Sequence, residues 1–466
     1  MYASSLIEVV RCHLGAAGAS ATPAQAASLR EVLQEHLTDP RKPRGIRHSL
    51  ASLVSVLVAG VACGYSSPLA IAGAAAGWDQ EVLAQHGCWR SPVTGLLVAP
   101  SAATLGRLPA QLDADELEAG LSGWLAAAAL DPQTAARIAA RRSGGKKKGG
   151  RRRKPPAAQA LRETRQDGWV RAAPGHPWLD PAITGDPGHL PARPAVAVDG
   201  KERKLAKAGG RKKVHLLAAI THGSGLVIGQ DKVAKSGKAN EVTHLRPLLE
   251  PLPLQEAVIT TDAMQATRDN ARWITENKHA RYLWPVLGNQ PRLHAQLDAL
   301  PWEDTPVTAA TIDTARGRIE TRTIRVLALP EDLNFPAAQQ ALLIERYVTA
   351  KKNGTWVMRN CEAVLYITSL AASETSPADL LAHIRGHWTV EHLHWLRDVI
   401  WREDKSLLRA GNAPQVMSAL TNLVITLFRL QGVTKYAAET RRNAQDPRRD
   451  AQDPRRAIQL LAFSPG

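Results

Sequence analysis

The chain has 466 residues, 44% of them hydrophobic, with a formal net charge of +16 and a pI near 9.9. That length supports two or three domains with cores of their own, and the excess of lysine and arginine points to a polyanionic partner, nucleic acid ahead of an anionic membrane. Four scattered cysteines, Cys12, Cys63, Cys88 and Cys361, form no CxxC pair; this argues against a zinc site or a disulfide framework and suits a reducing cytoplasm.

The opening MYASSLIEVVRCHLG lacks a basic stretch ahead of its apolar residues, so no signal peptide is expected. Residues 1–135 read as a helical N-terminal domain. Within it, residues 50–77 are uncharged and long enough to span a bilayer. They are rich in Ala and Gly, however, and YSSP interrupts them, which predicts two short buried helices with a turn at Gly64–Pro68 and no membrane span. Asp113 and Glu116 open another helix in a capping-box-like pattern. Residues 136–190 contain RRSGGKKKGGRRRKPP and are expected to be a basic disordered linker. GGKKKGGRRR lacks the GK[ST] of a phosphate-binding P-loop.

From about residue 191 the texture becomes α/β. AVAVD (195–199) reads as a buried strand. KVHLLAAITH and GLVIGQDKV make a hairpin turning at His222–Gly225. EVTHLRPLLEPL reads as a helix, EAVITTDAM as a second buried strand ending on Asp262, MQATRDNARWITENK as a helix and ARYLWPVLGN as a strand. Residues 300–370 are mostly β, with Asn353-Gly354 as a two-residue hairpin turn. Ser376 and Pro377 occupy N-cap and first-turn positions of a helix leading into RGHWTVEHLHWLRDVIWRED. The tail, residues 436–466, carries a short tandem repeat, AQDPRRD then AQDPRRA.

Asp199 and Asp262 sit at the ends of two apolar strands, where chemistry collects in an α/β sheet. Two carboxylates brought together repel unless a cation lies between them. Hard oxygen ligands suit Mg²⁺ or Mn²⁺, and two such ions about 4 Å apart can clamp an in-line phosphoryl displacement. In a chain this basic, the pair suggests phosphodiester chemistry on nucleic acid. A third acid is available on the helix around residue 391, where Glu391, His394 and Asp398 share one face. Trp388 and Trp395 share a neighbouring face and are expected in the core. His392 and His394 fall on different helix faces, which argues against zinc.

Several of these stretches together carry a resemblance. AVDGK, GQDKVAKSGKANEVTHLRPLLEPL, VITTDAM, RYLWPVLGNQPRL, GRIETRTI and RGHWTVEHLHWLRDVIWREDKSLLRAGNAP resemble bacterial insertion-sequence transposases of the ISAs type, a group that includes the H-repeat-associated proteins. DPRKPRGIRHSLASLVSVLVAGVACG and PSAATLGRL are similar to that family's N-terminal associated domain. The resemblance implies an RNase H-like catalytic core over residues 191–435, with a β-rich insertion at about 300–370. The family's acidic triad falls on Asp199, Asp262 and Glu391, implying Mg²⁺ or Mn²⁺ ligation by two ions. The basic residues after the first aspartate, Lys201, Arg203 and Lys204, are expected to face the DNA backbone. Lys238, Asn240 and Glu241 match the family's K-x-NE motif, and Asn289 and Gln290 its NQ motif; each is expected either to touch DNA or to support the site from behind, with DNA contact assigned to Lys238, Asn240, Asn289 and Gln290. Where relatives commonly carry a lysine before that NQ, this chain has Leu287. Arg385 and His387, just ahead of Glu391, are placed to reach a phosphate.

The expected protein is therefore a DDE transposase that cleaves DNA at the terminal inverted repeats of its element and joins the freed end to target DNA. It would act in the bacterial cytoplasm at the nucleoid, self-associating on DNA. The N-terminal helical domain, flanked by Arg41–Arg47, is the first choice for recognising the repeats. The alternatives are a DNA-binding relic with impaired catalysis and a metal-dependent nuclease on the same core.

Overall fold

The computed structural model describes residues 29–44, 46–129, 164–166, 168–202, 214–233, 241–315 and 317–444. In chain order its strands are β1 (Thr164–Gln166), β2 (Trp169–Arg171), β3 (Thr184–Gly185), β4 (Ala195–Glu202), β5 (His215–Thr221), β6 (Val227–Val233), β7 (Val258–Thr261), β8 (Arg281–Val286), β9 (Ala309–Ala315), β10 (Arg318–Ala328), β11 (Gln340–Lys352) and β12 (Thr355–Thr368). The chain divides into two compact units: a β-rich unit of residues 145–198 and 254–388, and a helical unit of residues 1–144, 199–253 and 389–466.

In the β-rich unit the strand order is β3-β9-β10-β11-β12-β8-β7-β4. β9 to β12 form an antiparallel meander that continues antiparallel onto β8. β8, β7 and the first half of β4 are parallel. Asn353 and Gly354 join β11 to β12 with φ of 49° and 87°. Both positions need a left-handed backbone, which is why this dipeptide is the strongest local hairpin signal. The helix Pro377–Gly386 starts at a full capping box between Ser376 and Asp379 and buries Leu380, Leu381 and Ile384 with Val258, Leu283, Ile324 and Leu342.

The linker expected over residues 136–190 gives way at Thr164 to ordered structure. β1 pairs antiparallel with β2, and β3 pairs parallel with β9. Val170 and Leu179 are buried with Ala310. The imidazole of buried His176 bonds the hydroxyls of Thr321 and Thr349 at 2.7 and 2.8 Å. Strands of two or three residues among prolines and glycines leave no period to read, so sequence pattern misses them. Residues 136–163, including the basic run, lie outside the described residues.

In the helical unit the order is β4-β5-β6, with β5 and β6 an antiparallel hairpin. In the β-rich unit the first half of β4 thus pairs parallel with β7, and in the helical unit its second half leads the β5–β6 hairpin. This is the arrangement of an RNase H-like core in a mixed α/β protein. The span-like segment forms two helices, Leu50–Ala62 and Pro68–Ala75, capped by Ser49 and Ser67. They pack closely because Gly60 has no side chain: a Cβ there would lie 2.5 Å from Ile71. No described helix is long and apolar enough to cross a membrane. The helix Ala413–Leu430 is buried along its whole length. The tail expected from residue 436 begins as a further helix, Tyr436–Asn443, with Tyr436 buried; its tandem repeat lies outside the described residues.

Glu118 sits inside this unit. Its Oε1 accepts from Gln230 Nε2 at 2.8 Å and Gln415 Nε2 at 3.3 Å, and its Oε2 is buried with no partner among the described residues. Burial pushes its carboxyl up to about 8. The folded state therefore holds a proton that the unfolded chain releases above the ordinary glutamate range, so stability falls as pH rises between those two values. We expect Glu118→Gln to match the parent near pH 5 and to gain in Tm over it from pH 5 to pH 8. The slope should be at most about 1.4 kcal/mol per pH unit. A Tm difference independent of pH in thermal melts would contradict this assignment.

Candidate active site

The site begins with register. In the β-rich unit, parallel β4 and β7 pair Ala195–Val198 with Val258–Thr261, so that Val198 lies opposite Thr261. The next residue after each of these partners is an aspartate, Asp199 and Asp262. Asp262 caps the short turn Ala263–Gln265, with Oδ1 accepting from Gln265 N at 3.2 Å. That loop is held from behind: Asn289 Nδ2 donates to Ala263 O at 2.7 Å, and Gln290 Nε2 donates to Ala266 O. These two amides fix the backbone that carries Asp262, the supporting role allowed for them beside DNA contact. His387 Nδ1 is 3.1 Å from the hydroxyl of Thr260, two residues before Asp262. Burial pulls its pKa down to about 4, so it is neutral in ordinary buffers. Arg385 is ion-paired with Asp313.

Trp388, expected in the core, is 47% exposed, with the guanidiniums of Arg346 and Arg322 5.1 and 5.9 Å from its ring centre. Trp395 is likewise exposed and stacks on His392. An indole on an amphipathic helix reads as core by hydropathy alone. Here the buried stripe of the helix Thr389–Val399 is Val390, Leu393, Leu396 and Arg397 instead.

The helical unit supplies the surroundings of Asp199. Glu241, the first residue of the helix Glu241–Leu249, has a carboxylate oxygen within 4.8 Å of one on Asp199. Its Oε1 is also 2.5 Å from Nε2 of His215 on β5. Gly200 explains how these groups come so close. A Cβ there would stand 2.5 Å from Glu241 Cδ and would also strike the His215 ring, so the glycine of the DGK sequence is a steric requirement. Sequence reading noticed Glu241 in its motif but gave it no place among the acids; its signal was its position opening a helix, where the helix dipole favours a carboxylate.

His394 Nδ1 lies 3.7 Å from Asp199 Oδ2. Burial first, then the nearby Arg397 and Lys201 cations, push this imidazole down to about 3. It meets Asp199 as a neutral ring. Lys201 is buried and its ammonium lies 2.6 and 2.7 Å from the two carboxylate oxygens of Asp398 and 3.4 Å from Asp404. The exposed DNA contact expected of Lys201 is thus replaced by an internal ion cluster. His394 and Asp398 share a helix face, and both meet the end of β4. Glu391 belongs to that face one turn earlier and is exposed. Arg203, Lys204, Lys238 and Asn240 lie outside the described residues.

Asp199 and Glu241 fit a divalent cation. They are half-buried, offer hard oxygen donors and, among the described residues, have no thiolate grouped with them, and like charges so close are stabilised by a cation between them. Carboxylates at strand ends that can hold a divalent cation are of the kind that phosphodiester chemistry uses. The family of the transposase DDE domain matches residues 190–427, and a region described as DDE_Tnp_1-associated matches residues 31–125. The chain belongs to the transposase DDE domain family. It is 31% identical over 250 residues to YncI of Escherichia coli O157:H7, named as a transposase, covering 50% of this chain and 61% of that one. It is 30% identical over 264 residues to YhhI of Escherichia coli K12, named as an H repeat-associated transposase, covering 52% of this chain and 65% of that one. The alignments therefore span less than two thirds of these relatives' lengths. Among solved structures, a piggyBac transposase synaptic complex with hairpin DNA aligns at a TM-score of 0.31 and 11% identity, covering 58% of this chain and 52% of that one; a likeness of that size supports no argument.

Gly200→Ala should cost about 1–3 kcal/mol through overpacking, seen as a lowered Tm. It should also weaken Mn²⁺ binding measured by calorimetry, because Glu241 must move from Asp199. Unchanged stability and unchanged Mn²⁺ affinity would show that Gly200 is not needed for this approach.

Proposed function

We propose that this protein is the transposase of an insertion sequence, cutting DNA at the element's terminal inverted repeats and joining the freed 3′ ends to target DNA. The observation that carries the reading is the twin placement of Asp199 and Asp262, each immediately after a register partner on neighbouring parallel strands, in a chain belonging to the transposase DDE domain family. In this reading Asp199, Asp262 and Glu391 together hold two Mg²⁺ or Mn²⁺ ions. Glu241 is a fourth acid beside Asp199. When bound, such ions neutralise charge on the scissile phosphate and lower the pKa of an attacking water.

The chain's own residues supply position. Asn289 and Gln290 brace the loop of Asp262, His394 packs a neutral ring against Asp199, and Lys201 joins the end of β4 to the helix that carries Glu391. Water opens the phosphodiester at the element end, and the released 3′-hydroxyl attacks a target phosphodiester and expels its 3′ oxygen. No covalent enzyme intermediate is required. The net charge of +16 supports a DNA partner, as a field of that sign attracts the phosphate backbone. Pairing two element ends calls for self-association on DNA.

The test is cleavage and joining of labelled duplexes carrying the ends of the flanking element, with Mg²⁺, with EDTA, and with Asp199→Ala, Asp262→Ala and Glu391→Ala. Each substitution should slow both steps at least about 100-fold, or about 2.7 kcal/mol of barrier, while DNA binding persists. Binding by the parent protein without cutting in Mg²⁺ or Mn²⁺ would sink the catalytic reading. Cutting without joining would favour a nuclease.

A further inference from the structure

A second charged site lies in the helical unit, in sequence far from the acids. The described residues of the segment 37–49 carry no regular secondary structure and, with residues 89–111, line an open groove of about 660 Å³. Arg41 is what shapes it. Its guanidinium grips Asp39 through two bonds of 2.8 and 2.7 Å and donates to His48 O at 2.9 Å. His48 is buried in turn, its Nδ1 accepting from Trp89 N at 3.2 Å. One arginine is thus spent on holding the loop.

The other cations of the segment are not spent in this way. Lys42, Arg44 and Arg47 are exposed, line the groove and make no ion pair among the described residues. Arg47 lies over the Trp89 ring, 5.1 Å from its centre. Val98, 41% exposed, and Gln111 complete the wall. Among the described residues no acidic side chain lines this groove.

We propose that this groove is a DNA-backbone clamp in which Lys42, Arg44 and Arg47 neutralise successive phosphates without reading base sequence. The charge selects a polyanion. The stacked Trp89–Arg47 pair and Val98 offer apolar surface to the sugars between phosphates. Base edges in the major groove are read by an inserted helix or β-ribbon, and the cations here stand on an irregular loop, which suits positioning rather than specification. The clamp rests on the reading of the protein as DNA-acting, and it departs from the expectation that Arg41–Arg47 flank a sequence-specific reader.

The test uses the full chain, two labelled duplexes (one with the element end, one of unrelated sequence) and a salt series. The combined Lys42→Ala, Arg44→Ala, Arg47→Ala protein, first shown to melt at the parent temperature, should bind both duplexes about 10- to 100-fold more weakly. Its slope of log affinity against log salt should be shallower by about 2 to 3, since each neutralised phosphate contributes about 0.9. Arg44→Lys with Arg47→Lys should keep the slope. Equal affinity and slope for parent and alanine protein would overturn the clamp, as would a loss confined to the element-end duplex. So would a loss confined to binding of phosphatidylserine vesicles, which would assign the groove to a membrane. If the alanine protein loses DNA but the parent never cuts DNA with Mg²⁺ or Mn²⁺, the clamp stands and the transposase reading falls.

Discussion

The buried ammonium of Lys201 is the interaction on which the acidic end of β4 depends. It lies two residues from Asp199 and binds Asp398, on the helix Thr389–Val399, and Asp404 in the turn beyond it. The next helical position is anchored the other way. Arg397, fully buried, pairs with Glu403 at 2.6 and 2.8 Å, and Ser418 on the helix Ala413–Leu430 donates to the same carboxylate at 2.8 Å. Removing one partner from a buried pair costs about 3–5 kcal/mol, since it leaves a charge uncompensated. The helix bearing Glu391 is therefore locked to β4 on one side and to the buried core helix on the other. His394 is held against Asp199 as a neutral ring by its burial first, with the neighbouring cations of Arg397 and Lys201 adding to the same effect.

This arrangement explains why the DGK sequence is so compact a device. Asp199 gives the carboxylate, Gly200 gives the space that Glu241 and His215 occupy, and Lys201 gives the tie to the helix. Three consecutive residues on a strand alternate in direction. The acid and the lysine thus leave the strand on the same side, toward one helix face, and the glycine opens the opposite side. Each part fails for a different physical reason if changed: lost ligand, steric clash, or unpaired buried charge.

Much of the frame was legible in the sequence. The apolar runs before Asp199 and Asp262 read as buried strands, Asn353-Gly354 as a tight hairpin turn, and Ser376-Pro377 announced a helix start through its cap. The two short helices at residues 50–75 followed from the break at YSSP. What could not be read was pairing at long range. Lys201 looks like an exposed basic residue until Asp398 and Asp404 are brought beside it. Asn289 and Gln290 acquire definite partners only when the carbonyls of Ala263 and Ala266 are brought in front of their amides. Trp388 and Trp395 were assigned to the core because hydropathy counts the indole as apolar, and it does not register that arginines can cover an indole at the surface. β1 to β3 were missed because strands this short derive their stability from the partner they meet and not from their own pattern.

The wholly buried helix Ala413–Leu430 has a consequence for how the chain is born. The helical unit is stitched from three stretches, residues 1–144, 199–253 and 389–466. Helices near the N-terminus, including Leu50–Ala62, have this late helix as a packing partner. During synthesis their apolar faces must wait through the making of several hundred residues before that partner leaves the ribosome. Contacts so distant in sequence make folding slow and leave sticky surface uncovered in the interval. The meander of the β-rich unit, by contrast, pairs neighbours in sequence and has no such interval to cross.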